Sequence, residues 1–189
     1  LSQWFKVVVS CIIGAMITLL FDDFIEANFH TPIVIATTLI IYGIGFIIVE
    51  NWNKMRIPSI TNLNEITYKT AWLIGLFQVL SIIPGTSRSG ATIIGALIIG
   101  VSRVAAAEFT FFLAVPVMFG LSALKILKFG FVFTASELFI LILGMAVAFI
   151  VSVAVIKFLM SFIKKHDFKA FGWYRIVLGI AVILITTII

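Results

Sequence analysis

The chain is 189 residues long, 62% hydrophobic and only 11% charged, with 13 Lys and Arg against 8 Asp and Glu. An ordinary soluble domain carries about 25% charged residues, so a water-soluble globule is excluded: its core could not hide this much apolar surface. The formal charge of +5 is scattered between apolar runs, which argues against nucleic acid as a partner and for membrane lipids with anionic headgroups.

A helix needs about 17–25 apolar residues to cross the hydrocarbon core. Residues 5–21 qualify. With Lys6 as a charged flank they mimic a signal peptide, but Asp22-Asp23 stands where a small-residue cleavage site belongs. The segment therefore reads as a transmembrane helix, and because the chain enters it directly after Leu1, the native N-terminus is expected further upstream. Cys11, the single cysteine, sits inside this run and offers no disulfide framework or thiolate metal site. His30 falls in the turn Asn28-Phe29-His30-Thr31-Pro32 and is expected at the interface rather than in a site.

Residues 33–49 form a second span. The stretch 68–101 breaks the pattern: an apolar run from Tyr68 to Ile83, then Pro-Gly-Thr-Ser-Arg-Ser-Gly, then a shorter run from Ala91 to Gly100. Each arm is too short to cross, and Pro84-Gly85 interrupts the helix between them. This predicts a re-entrant helix pair whose tip lies at membrane depth beside a cavity. Spans follow at 104–123, with Pro116 accepted as a kink, and at 138–158 and 171–189. Gly144, Ala148 and Ser152 repeat every four residues, a spacing that serves close helix packing. His166 joins Lys164 and Lys165 in a basic surface loop.

The charges test this topology. If 68–101 enters and leaves on one side, then Lys6, Lys54, Arg56, Lys69, Arg103, Lys157, Lys164, Lys165, Lys169 and Arg175 share that side. The other side keeps Lys125, Lys128, Asp22, Asp23, Glu26 and Glu137, and Arg88 is left inside the membrane. The positive-inside rule then puts the basic side in the cytoplasm and the C-terminus outside. Counting 68–101 as a full crossing would separate the Lys164-Lys165-Lys169 cluster from Lys54 and Arg56.

Arg88 is the most informative residue, because an arginine at membrane depth costs several kcal/mol, roughly, unless it is paired or faces water. Thr86, Ser87 and Ser89 supply hydroxyls around it. Gly85 and Gly90 let the backbone turn with its N–H groups exposed, and the following helix presents its positive dipole end. Together these describe a phosphate or diphosphate site. The alternative is that Arg88 pairs with a carboxylate from a neighbouring helix and the serines merely cap Ala91–Gly100. Gln78, with Ser81 one turn further on the same face, reads as a polar lining of the cavity or as an interhelical hydrogen bond.

The run Gly75-Leu76-Phe77-Gln78, then Pro84-Gly85-Thr86-Ser87-Arg88-Ser89-Gly90-Ala91-Thr92, Gly100-Val101-Ser102-Arg103, Glu108-Phe109 and Leu113-Ala114-Val115-Pro116, closely resembles the undecaprenyl-pyrophosphate phosphatase family. These are bacterial membrane enzymes also called bacitracin-resistance proteins. The resemblance implies an all-α, polytopic integral membrane protein of inverted-repeat architecture in the bacterial cytoplasmic (inner) membrane. It implies hydrolysis of undecaprenyl diphosphate to undecaprenyl phosphate at the outer face, recycling the carrier for peptidoglycan synthesis and conferring bacitracin resistance. In this resemblance Arg88, Ser87 and Ser89 take the catalytic role on a polyprenyl diphosphate. Gly85, Thr86 and Gly90 bind phosphate, and Gln78 and Ser81 line the cavity. The family's glutamate-rich element and its histidine-ending loop do not occur here, so an upstream repeat is expected to carry them, together with a divalent cation, magnesium or calcium. This chain alone is then expected to have little activity. A homodimer is compatible with the resemblance. The competing expectation is a lipid-phosphate flippase built on the same anion site.

Overall fold

The computed structural model describes residues 2–130 and 134–188, without the side chains of residues 18, 19, 22, 23 and 26. Leu1, Ile189 and the side chains of Asp22, Asp23 and Glu26, all used above, lie outside that description. Among the described residues the α-helices are α1 (Ser2–Phe29), α2 (Pro32–Asn53), α3 (Tyr68–Val79), α4 (Arg88–Ile99), α5 (Arg103–Phe129), α6 (Ala135–Lys165) and α7 (Lys169–Ile188). Four of them, α2, α5, α6 and α7, are long and apolar enough to cross a membrane. This is a multi-pass, all-α membrane protein.

The helix boundaries follow from short polar caps between apolar runs. Thr31 accepts the Val34 N–H at 3.3 Å with Pro32 at the first helical position, which starts α2 sharply after α1. Thr67 caps α3 and Ser102 caps α5 in the same way. Thr134 and Glu137 close a reciprocal capping box at the start of α6. The chain stays helical through Pro116 within α5, since a span packed among neighbours tolerates the lost hydrogen bond.

Helices α3 and α4 form the re-entrant pair. Their outer ends meet on one side of the molecule: Ile66 and Val101 share a buried cluster with Val7 and Ala105, and Ile60 forms an isolated parallel bridge with Val101. Ser10 Oγ donates to the Ala71 carbonyl, and Gly75 brings α3 against the α1 backbone. Helix α4 is buried over eight consecutive residues, Gly90 to Leu97. One side of it faces the Val7, Ile74, Phe109 and Leu113 cluster; the other faces Phe46, Val49, Ile163 and Phe168. A helix apolar all round belongs inside a bundle.

Helix α7 runs antiparallel to α2. Gly172 meets Gly43 backbone to backbone, and Gly179 lies against Ala36 and Ile40. Where lipid removes the hydrophobic drive between helices, such glycine contacts let dispersion hold them together. A fully buried carboxylate ties the same end: Glu50 accepts from Arg103 Nε at 2.9 and 3.0 Å, from Arg103 Nη2 at 2.5 Å and from the Phe168 N–H at 3.1 Å. The start of α5 and the start of α7 are thereby fixed to the end of α2.

Candidate anion site at the re-entrant tip

The tip is a turn rather than a long loop. After Val79 the chain tightens into a 3-10 turn, Leu80–Ile82, and Gly85 adopts φ +86°. Only glycine holds that conformation freely, and an added Cβ would run into Thr38 Oγ1 and the Ile35 carbonyl of α2. Thr38 Oγ1 donates to the Pro84 carbonyl at 2.6 Å. The tip is therefore pinned to α2 at Thr38, within the first two turns of that helix.

Ser87 is the N-cap of α4, its Oγ accepting the Gly90 N–H at 3.2 Å. The helix thus begins at Arg88, three residues earlier than the run from Ala91 suggests. The apolar pattern is blind to a first turn built from Arg, Ser and Gly, and the cap sets it instead. The Arg88 and Ser89 N–H groups are left among the orphan donors of the helix start. Ser87 Oγ and Ser89 Oγ lie 3.0 Å apart, so two hydroxyls sit over that positive end.

Two guanidinium groups flank this turn. Arg88 lies on the α1 side, within electrostatic reach of the Cys11 thiol, and its Nη1 is buried without a hydrogen-bond partner. The ion pairs are Arg103–Glu50 and Lys169–Asp167, and Arg88 pairs with no carboxylate among the described residues. The second group, Arg175 of α7, faces Gly90 from the α2 side. Its Nη2 would sit 3.4 Å from a Cβ at position 90, its Nη1 is also buried and unpartnered, and its guanidinium lies 5.8 Å from the Phe46 ring. Thr86 Oγ1 is buried, unpartnered and close to the Tyr42 phenol, which is itself within reach of Arg175.

The charge tally placed Arg175 with the basic residues of the cytoplasmic side. The Gly172 and Gly179 contacts with α2 seat α7 so that Arg175 lies beside the start of α4. Six residues beyond Lys169 is about 9 Å along a helix, enough to leave the interface. The only signal in the sequence was the glycine spacing around it, which also reads as plain packing.

Gln78 and Ser81 come from the α3 arm, and Gln78 meets α1 one turn from Cys11, on the side where Arg88 lies. A cavity of about 110 Å³ opens against Ser87, Ser89, Gly90 and Arg175, with Phe46 and Phe171 among its apolar walls; Arg88, Gln78 and Ser81 lie outside its lining. Gln78 is buried with its Nε2 against Gly14 of α1 and its Oε1 unpartnered, and Ser81 is half-buried in the 3-10 turn. His30 is exposed at the α1–α2 turn, and His166 is exposed and stacked on Phe162.

Two buried guanidinium edges, two hydroxyls and a helix N-terminus, with no carboxylate paired to either guanidinium among the described residues, offer donors of the kind a multiply charged anion accepts. No metal-holding group of three His, Cys, Asp or Glu side chains occurs among the described residues.

The family profile of the bacitracin resistance protein BacA matches residues 1–181. A protein of Enterococcus faecalis named undecaprenyl-diphosphatase is 69% identical over 187 residues, which are 99% of this chain and 68% of that protein. Proteins of the same name from Desulfitobacterium hafniense and Lachnoclostridium phytofermentans are 61% and 63% identical, covering 97% and 94% of this chain and 66% and 65% of theirs. The chain spans about two thirds of the length of these relatives.

Proposed function

We propose, from the premise that this chain belongs to the bacitracin resistance protein BacA family, that it forms the diphosphate-gripping part of an undecaprenyl-diphosphatase. The observation that carries this is the pair of buried, unpartnered guanidinium nitrogens on Arg88 and Arg175 flanking the first turn of α4. A diphosphate seated on that turn would take the Arg88 fork on one side and Arg175 on the other. The Ser87 and Ser89 hydroxyls and the free N–H groups of α4 would bind the oxygens between them. Preorganised donors of this kind act where charge builds on the transferring phosphoryl group. The relatives' shared name favours hydrolysis over lipid transport.

Ser87 and Ser89 bond to each other and to the helix start, with no titrating group beside them among the described residues. Their role in this reading is binding rather than attack. In this reading the acid and base, and any divalent cation, come from the part of the relatives' length that this chain does not span. The basic face, Lys6, Lys54, Arg56, Lys69 and the Lys164–Lys169 cluster, then looks into the cytoplasm of a bacterial inner membrane. The C-terminus and the α1–α2 turn lie outside.

The full-length protein in liposomes should release inorganic phosphate from a C55 or C15 polyprenyl diphosphate presented at the outer leaflet. Transfer of that lipid between leaflets without phosphate release would overturn the assignment.

A further inference from the structure

A second, larger cavity lies at the opposite end of the bundle, where α2 ends and α6 gives way to α7. Its volume is about 680 Å³, within the ~300–1,000 Å³ of small-ligand sites. Lys54 and Arg56 line it from the α2 side, and Lys164, Lys165 and His166 from the end of α6. Arg103 also reaches it but is already held by Glu50. Lys54 is drawn up beside Lys169, so two ammonium groups share the neighbourhood of one carboxylate, Asp167, which is 4.0 Å from Lys169. Lys54, Arg56, Lys164 and Lys165 have no ion-pair partner among the described residues. Gathered in one concavity, they leave it with a net positive charge that an anion would neutralise.

The rim says which anion. Basic and apolar residues alternate along Lys54-Met55-Arg56-Ile57, and Met55 and Ile57 are 93% and 95% exposed. Trp52, about half exposed, carries the Arg56 guanidinium over its ring at 4.1 Å. Exposed apolar side chains interleaved with cations, beside an interfacial tryptophan, belong at the boundary of headgroups and acyl chains. Basic pockets between membrane helices at that level hold anionic headgroups.

We infer that this cavity binds the phosphate headgroup of an anionic membrane lipid, in the leaflet opposite the α1–α2 turn, as a site separate from the re-entrant tip. The test uses the full-length protein in phosphatidylcholine nanodiscs doped with spin-labelled phosphatidylglycerol, with the immobilised lipid fraction as readout. Wild type and Arg88→Ala should retain an immobilised pool. Lys54→Gln/Lys165→Gln, two exposed substitutions, should lower its affinity by about 30-fold. Melting in pure phosphatidylcholine should be the same for all three, so a folding defect would register separately. An equal pool in the double variant, its loss in Arg88→Ala, or its displacement by millimolar inorganic phosphate would overturn the inference, the last by making the ligand a soluble anion.

Discussion

Arg88 and Arg175 are costly to keep in a membrane, and neither cost is offset by a carboxylate among the described residues. Arg88→Ala in the full-length enzyme is expected to lower turnover on a polyprenyl diphosphate by about 10²–10³-fold, the usual loss when one preorganised donor to a developing charge is removed. Arg88→Lys should rescue little of it, because a point charge cannot reproduce the guanidinium fork. Phosphate release assays on both variants check this. Arg88 stood out in the sequence because an arginine inside an apolar stretch, between hydroxyls and glycines, needs either a carboxylate partner or an anion. Arg175 did not: it stands in Trp173-Tyr174-Arg175, which resembles an interfacial anchor, and only the seating of α7 on α2 shows its place beside α4.

The re-entrant element is held by a few close approaches. Gly85→Ala would impose a side chain on a left-handed residue and drive its Cβ into Thr38 and Ile35. A destabilisation of about 1–3 kcal/mol is expected, seen as a lower melting temperature together with lost activity, since the tip carries Ser87. Outside the membrane, Glu65 accepts the Thr61 N–H at 2.7 Å and an Asn62 side-chain N–H at 3.0 Å, and the Asn62 side chain is the main cause holding its carboxyl below the usual range. A depressed carboxylate stabilises above its unfolded pKa and loses that contribution as pH falls through the folded one. Amide exchange at Thr61 and Asn62 should therefore speed up on acidification relative to Glu65→Gln. The break at Pro84-Gly85 could be read from the sequence, because proline and glycine interrupt a helix by their own covalent geometry. The start of α4 at Arg88 could not, since a cap is a tertiary decision between Ser87 and Gly90. The placing of Gln78 and Ser81 on the α1 side also depends on which helix covers α3, and nothing local encodes that.

For the bundle as a whole, Glu50 joins the ends of α2, α5 and α7. Arg103→Ala would strand that carboxylate in a fully buried site. With Arg103 itself about one-third exposed, the expected cost is about 3 kcal/mol, the low end for breaking a buried pair. Thermal unfolding of the full-length protein measures it, and Arg175 should be displaced with α7, so turnover should fall as well. The membrane class follows from composition, and its helical character from unbroken apolar runs long enough to cross as helices. The order in which helices pack does not follow: Gly43, Gly172 and Gly179 advertise close contact without naming their partners. The most direct measurement is a two-arginine cycle in the full-length enzyme: kcat/KM for phosphate release by wild type, Arg88→Ala, Arg175→Ala and the double variant. If both guanidinium groups hold one diphosphate, each single change should cost about 100-fold or more, and the double should lose less than the product of the two. Undiminished turnover in either single variant, or losses that simply multiply, would contradict the shared grip.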